Sequence, residues 1–188
     1  MAKAAKKIAV ATRDNPVSGK RAASDGVLVE TAPSASRMSL RATPRGVTAM
    51  QKSLGITLPR EIGTSKTKTG RVAMCLGPDE WLVVDTKNAN TSMVPTSRSK
   101  EFSATDVSHR NVAFNVSGNH AAECLNAGCP RDLSLATFPK GSSARTVIGK
   151  AEVVIHRSAN DMFRVECWRS FAPYLFAFLK DAARDADL

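Results

Sequence analysis

Residues 142–168 read SSARTVIGKAEVVIHRSANDMFRVECW, and this stretch decides the fold class. Its three apolar-rich runs, 142–148, 150–157 and 162–168, are separated by Gly149 and by the Ser158-Ala-Asn-Asp161 turn. β-Branched and aromatic residues suit a pleated, half-buried surface, and short Gly- or Asn/Asp-bearing breaks between such runs predict antiparallel strands. Directly after them, Phe171, Tyr174, Leu175, Phe178, Leu179 and Ala182 recur at offsets of three and four, with Phe176 off that line. The spacing predicts a final helix with a wide buried stripe, capped by Ser170 and sandwiched against its own sheet or a second chain. Strands followed by a covering helix are an α+β layout with antiparallel sheet, not a doubly wound one.

Working back toward the N-terminus, Ser117 is placed to cap a helix over 118–126, with Gly128 ending it in the left-handed conformation and Cys129-Pro130 forbidding continuation. Residues 103–109 and 111–116 alternate and predict another pair of strands. Residues 72–76 and 81–85 flank Gly77-Pro78-Asp79-Glu80, a composition suited to a hairpin turn. The polar stretches 64–69 and 87–100 read as a turn and an exposed loop. Pro44 to Leu54 reads as a helix with Pro in its first turn and Gly55 at its end, and 36–41 as a strand. Ordered structure is therefore expected to begin near Ser36: residues 36–188 form a single α+β domain, and residues 1–35 a basic leader, partly disordered or wrapped on a partner, with Val27-Leu28-Val29 as its one docking contact.

The chain has 188 residues and a formal net charge of +10. Fourteen of the 27 Lys and Arg, but only four of the 17 Asp and Glu, lie between Met1 and Arg71, so the whole cationic excess belongs to that third. The same segment holds none of the ten aromatic residues, which run from Trp81 to Phe178. Single-strand binders stack bases on aromatic platforms beside a basic groove, and duplex readers carry Arg, Asn or Gln on a recognition helix; neither pattern is present. A solvated or partner-wrapping arm fits better than a nucleic-acid site. No apolar run approaches the roughly 18 residues of a membrane span, and no secretory core is evident, so a cytoplasmic protein is expected.

Candidate chemistry is sparse. Cys75, Cys124, Cys129 and Cys167 form no CxxC pair and read as reduced, mostly buried thiols. Asp106, Ser108 and His109 imitate a triad, yet on an extended segment Ser108 and His109 point to opposite faces, which favours a structural role. His120 and Cys124 stand one helical turn apart, half of a zinc site that Cys129 could join only across a turn. His156 has no carboxylate neighbour in sequence. Ala144 to Ala151 echoes a phosphate-binding loop, but Ala replaces the first Gly and the metal-binding hydroxyl residue, and no GxGxxG occurs. The reading is of no catalytic, cofactor-binding or metal-binding residues.

Several segments, in order, carry a family resemblance: Leu76-Gly-Pro-Asp-Glu-Trp-Leu82, Asp106-Val-Ser-His-Arg-Asn-Val112, Val116-Ser-Gly118, Ala127-Gly-Cys-Pro130 with Asp132-Leu133, Ala144-Arg-Thr146, Gly149-Lys-Ala-Glu152, Phe163-Arg-Val-Glu166 and Trp168-Arg-Ser-Phe-Ala-Pro-Tyr174. From about Cys75 onward the chain resembles the gamma subunit of heterotetrameric sarcosine oxidase. The resemblance implies a small relative of the folate-binding domain of the glycine-cleavage T-protein. It also implies alpha, beta and delta partner subunits, with FAD, FMN, NAD and tetrahydrofolate on the alpha and beta chains and zinc on the delta chain. The implied reaction of the complex is oxidative demethylation of sarcosine to glycine with hydrogen peroxide formation and transfer of the one-carbon unit to tetrahydrofolate. No catalytic residue carries over, and the folate-contacting acid of the T-protein relatives has no counterpart that can be placed. A free-standing folate-binding transferase or repair protein of that superfamily is the alternative. Aromatics and Arg dominate interface energetics, which makes Trp168, Arg169, Phe171 and Tyr174 the candidate subunit interface; the competing reading is that they fill the chain's own core.

Overall fold

The computed structural model describes residues 15–89, 91–96 and 99–186. In chain order the elements are β1 (Arg21–Ala23), β2 (Leu28–Thr31), β3 (Ser36–Ala42), α1 (Pro44–Leu54), β4 (Ser65–Lys68), β5 (Arg71–Gly77), β6 (Glu80–Asp85), β7 (Phe102–Asp106), β8 (Asn111–Ser117), α2 (Ala121–Asn126), β9 (Ser143–Ile148), β10 (Ala151–Ala159), β11 (Met162–Trp168) and α3 (Ala172–Asp185). They make two antiparallel sheets, β1-β2-β8-β11-β10-β9 and β4-β5-β6-β3-β7. This is the antiparallel α+β class expected from the sequence.

Strand alternation builds four layers. In the six-stranded sheet, Phe114, Val153, Ile155, Phe163 and Val165 face α2 and α3 and bury with Leu125, Leu175 and Leu179. In the five-stranded sheet, Met38, Leu40, Trp81 and Val83 face Val47, Met50 and Leu54 of α1. The inner faces meet through Met74, Leu82, Val84, Val107 and Val154. Successive side chains on a strand point to opposite faces, so β5, β6 and β10 each serve two of these cores at once. α1 forms as predicted: the Thr43 hydroxyl accepts from the Gly46 N–H at 3.2 Å, and Gly55 closes the helix at φ 66°.

Regular structure begins ahead of Ser36. β2 pairs with β8 in the register Leu28↔Ser117 to Thr31↔Phe114, and Val17, Val27 and Val29 join the core beneath α3. The first fourteen residues of the basic leader, with Lys3, Lys6, Lys7 and Arg13, lie outside the described residues. Residues 65–68 are a strand, not a turn; β4 is polar because it is an edge with one neighbour and exposed Lys66, Thr67 and Lys68. The runs around 103–109 and 111–116 do not pair with each other. β7 pairs with β3, β8 enters the other sheet, and the chain crosses between them where the Val107 N–H donates to the Arg37 carbonyl at 3.0 Å.

Four further details of the helices differ from expectation. Ser117 ends β8, paired with Leu28 and Met162, so α2 starts only at Ala121. Gly128 is not left-handed, and α2 ends at Ala127 in right-handed geometry; a glycine stands at 128 because a Cβ there would come within 2.5 Å of the Phe178 ring. Ser170 sits in a single 3-10 turn, Arg169–Phe171, and α3 follows without a side-chain cap. The buried face of α3 is Ala172, Leu175, Phe176, Leu179, Ala182 and Ala183. Phe176, off the predicted stripe, stacks on Phe114 with ring centroids 6.0 Å apart, whereas Phe171 and Tyr174, on it, are exposed.

Candidate subunit interface

Buried polar residues hold the two sheets together, and Ser108 and His156, singled out from sequence, are among them. Arg37 Nε donates to Glu166 Oε2 at 2.5 Å and Arg164 Nε to Glu166 Oε1 at 2.8 Å, all within the seam between the sheets. Burial alone would push the Glu166 carboxyl up, but the two guanidinium groups outweigh it and hold the group below the usual carboxylate range. The Ser108 hydroxyl accepts from the Arg37 N–H at 2.8 Å and donates to the Arg37 carbonyl at 3.3 Å; Asp106 Oδ1 accepts from the Ser108 N–H at 2.8 Å. Asp106 and Ser108 thus pin the crossover between sheets, and His109 stands exposed beside them. His156 is buried, with Nε2 3.0 Å from the Ser65 hydroxyl; desolvation first, and Arg164 second, push it down to about 4, so it is neutral at physiological pH.

His120 and Cys124 are separated by exposure: His120 is at the surface, while Cys124 is fully buried with Sγ 3.7 Å from the Leu179 carbonyl. Cys129 is buried with Sγ 3.8 Å from the Thr146 hydroxyl. All four cysteines are buried, and none is in a disulfide. Among the described residues no group of three or more His, Cys, Asp or Glu is arranged to hold a metal ion.

The aromatic run lies at the end of β11. Because Phe163, Val165 and Cys167 face α3, Trp168 falls on the opposite face, paired with Asn111 at the mouth of the seam. Trp168, Phe171 and Tyr174 are 40%, 37% and 38% exposed, which decides against an all-core reading. The Arg110 guanidinium lies over the Trp168 ring, 5.3 Å from its centroid, and the Arg169 N–H donates to the Arg110 carbonyl at 2.7 Å. Trp168 and half-buried Arg169 line one open depression with Pro16, Arg110, Ser170 and Pro173. Phe171 and Tyr174 are not part of that lining. Tyr174 turns toward the β9–β10 hairpin, where its hydroxyl accepts from the Lys150 N–H at 3.2 Å and its ring adjoins Phe178. The sequence reading missed Pro16 and Arg110. Pro16 lies in the stretch taken as leader, and Arg110 in a turn whose destination depends on the crossover between sheets.

A curated relative, the sarcosine oxidase subunit gamma of Corynebacterium sp. (strain P-1), is 25% identical over 153 residues, 79% of this chain and 75% of that protein. The fold is shared with a chain of heterotetrameric sarcosine oxidase from Corynebacterium sp. U-96, solved in complex with pyrrole 2-carboxylate, at a TM-score of 0.80 with 23% identity and 89% of each chain covered. It is shared more distantly with the glycine cleavage system aminomethyltransferase T of Bartonella henselae, at a TM-score of 0.56 with 16% identity, covering 84% of this chain and 48% of that one. Residues 39–185 match the model of the sarcosine oxidase, gamma subunit family, and the chain belongs to that family.

Proposed function

We propose that this chain works as a non-catalytic gamma subunit of a cytoplasmic heterotetrameric sarcosine oxidase, filling and steadying an assembly whose chemistry resides on its alpha, beta and delta partners. In that assembly FAD, FMN, NAD and tetrahydrofolate belong to the alpha and beta chains and zinc to the delta chain. Sarcosine loses two electrons to oxygen, which becomes hydrogen peroxide, and the methyl carbon passes to tetrahydrofolate as 5,10-methylenetetrahydrofolate, leaving glycine. The observation that carries the reading is family membership over residues 39–185. It is supported by the placement of Trp168, Arg169, Phe171 and Tyr174, large side chains that the chain's own core leaves partly in solvent. Rigid aromatics and Arg are the residue types that anchor protein interfaces.

A tagged copy co-expressed with the remaining subunits is expected to elute with flavin-bearing chains and their yellow absorbance, and the chain by itself to turn over no sarcosine. Micromolar binding of tetrahydrofolate by the isolated chain, with no flavoprotein co-eluting, would instead establish the free-standing transferase or repair protein.

A further inference from the structure

The two edges of the five-stranded sheet are built differently. β4 exposes Lys66 and Lys68, charges that discourage another strand from adding. β7 closes the other end of the sheet order, and its sequence, Phe-Ser-Ala-Thr-Asp, carries no lysine or proline. Beside the start of β7 lies a cleft of about 640 Å³ between that strand, the first turn of α1 and the β5–β6 turn. Its walls are fixed. The Thr43 N–H donates to the Glu101 carbonyl at 2.9 Å, the Thr43 hydroxyl donates to the Glu101 carboxylate, and Gly46 packs so closely that a Cβ would lie 2.1 Å from the Glu101 carbonyl oxygen.

The apolar lining includes Trp81, Phe102, Val47 and Pro44. Of the charges around it, Arg41 is paired with Asp79 at 3.2 Å and with Glu80 at 3.3 Å, and the Glu101 carboxylate, still anionic, accepts from the Thr43 hydroxyl. Arg60 and Lys100 line the same cleft and form no ion pair among the described residues. Among the described residues β7 has one strand neighbour, and this edge, a preformed apolar cleft and two cations outside any ion pair together fit an extended, acidic occupant with one large apolar side chain. The chain's own first fourteen residues do not meet that description, since they carry Lys3, Lys6, Lys7 and Arg13 against a single acid, Asp14.

We infer that residues 102–105 accept an extended segment from another subunit as a sixth strand, its acidic residues opposite Arg60 and Lys100 and one aromatic or branched side chain in the cleft. Main-chain pairing at an open edge supplies affinity, and the neighbouring pocket and charges supply selection. The inference rests on the assembly proposed above. It is tested on the purified complex by amide hydrogen exchange and by carbodiimide coupling, which joins lysine to a carboxylate in direct contact. The expected result is exchange at 102–105 at least tenfold slower than at the β4 edge. Exchange there should be faster in a complex built with Arg60→Gln and Lys100→Gln, and Lys100 should be coupled to an Asp or Glu of a partner chain. Equal exchange at both edges with no Lys100 product overturns it. So does slow exchange confined to residues 41–47, which would mark a small molecule in the cleft. A chain that elutes with no other subunit removes the assembly itself, a result distinct from an assembled complex whose β7 edge stays open.

Discussion

The seam between the sheets and the rim at the end of β11 are built from similar residues under opposite conditions. In the seam, Arg37 and Glu166 are 4% and 1% exposed and satisfy each other. On the rim, exposed Arg110 lies over a Trp168 ring that remains 40% in solvent. A charge without its partner in the seam is cut off from water, whereas on the rim water replaces whatever is lost. The contrast assigns the seam to stability of the fold and leaves the rim free for another chain. Glu166→Gln strikes the seam hardest, leaving the guanidinium groups of Arg37 and Arg164 without their counter-ion. A loss of about 3–5 kcal/mol in urea unfolding is expected, a large part of a typical domain's stability. Replacing Arg37, Arg164 and Glu166 together by apolar residues of similar volume should recover most of it. A loss below about 1 kcal/mol for the single change would erase the distinction between seam and rim.

How far these regions were legible beforehand depended on the range of the interactions that form them. The hairpins within 142–168 and the ends of α1 are local, so alternation, turn residues, Pro44 and Gly55 sufficed. β2 exists because β8 lies beside it, some way down the chain, and no residue between 28 and 31 announces that. The runs around 103–109 and 111–116 look like a hairpin by themselves; what parts them is the anchoring of Val107 and Ser108 on Arg37, 71 residues away from Ser108. Phe171, Tyr174 and Phe178 lie on one side of the α3 axis and Phe176 nearly opposite, so rings stand on two sides and periodicity alone did not fix which turned inward. The rim was legible as a concentration of aromatics and Arg, yet Pro16 and Arg110 reached it only through tertiary folding.

His156 sharpens the seam's half of the comparison through pH. Its ordinary value of 6.5 falls to about 4 in the folded chain, so the unfolded chain takes up the proton first as pH drops. Stability is therefore untouched above pH 6.5 and declines between 6.5 and about 4, by up to roughly 3 kcal/mol. Glu166 has linkage of the same sign in a lower window: its depressed value adds stability above about 4.5, lost only as pH falls through the folded value. The two windows are separable. His156→Gln, which keeps a polar partner for Ser65, should flatten the decline between pH 6.5 and 4 in thermal or urea unfolding and leave the steeper loss below it. A wild-type curve already flat across that interval would mean that His156 is solvated rather than held in the seam.

The rim should show the smallest effect on stability and the larger effect on assembly. Trp168→Ala removes a ring that is well short of full burial and a single cation–π contact, worth about 0.5–1 kcal/mol at an exposed site. The isolated chain should lose about 1–2 kcal/mol, against the 3–5 typical of a packed aromatic. Phe176→Ala supplies that packed standard within the same molecule, because Phe176 is buried against Phe114. If the rim is where a partner sits, Trp168→Ala lowers the yield of complex by more than its stability loss accounts for, while Phe176→Ala lowers both in proportion. Matched losses for the two variants would place Trp168 with the core and leave the exposed ring without a role in assembly.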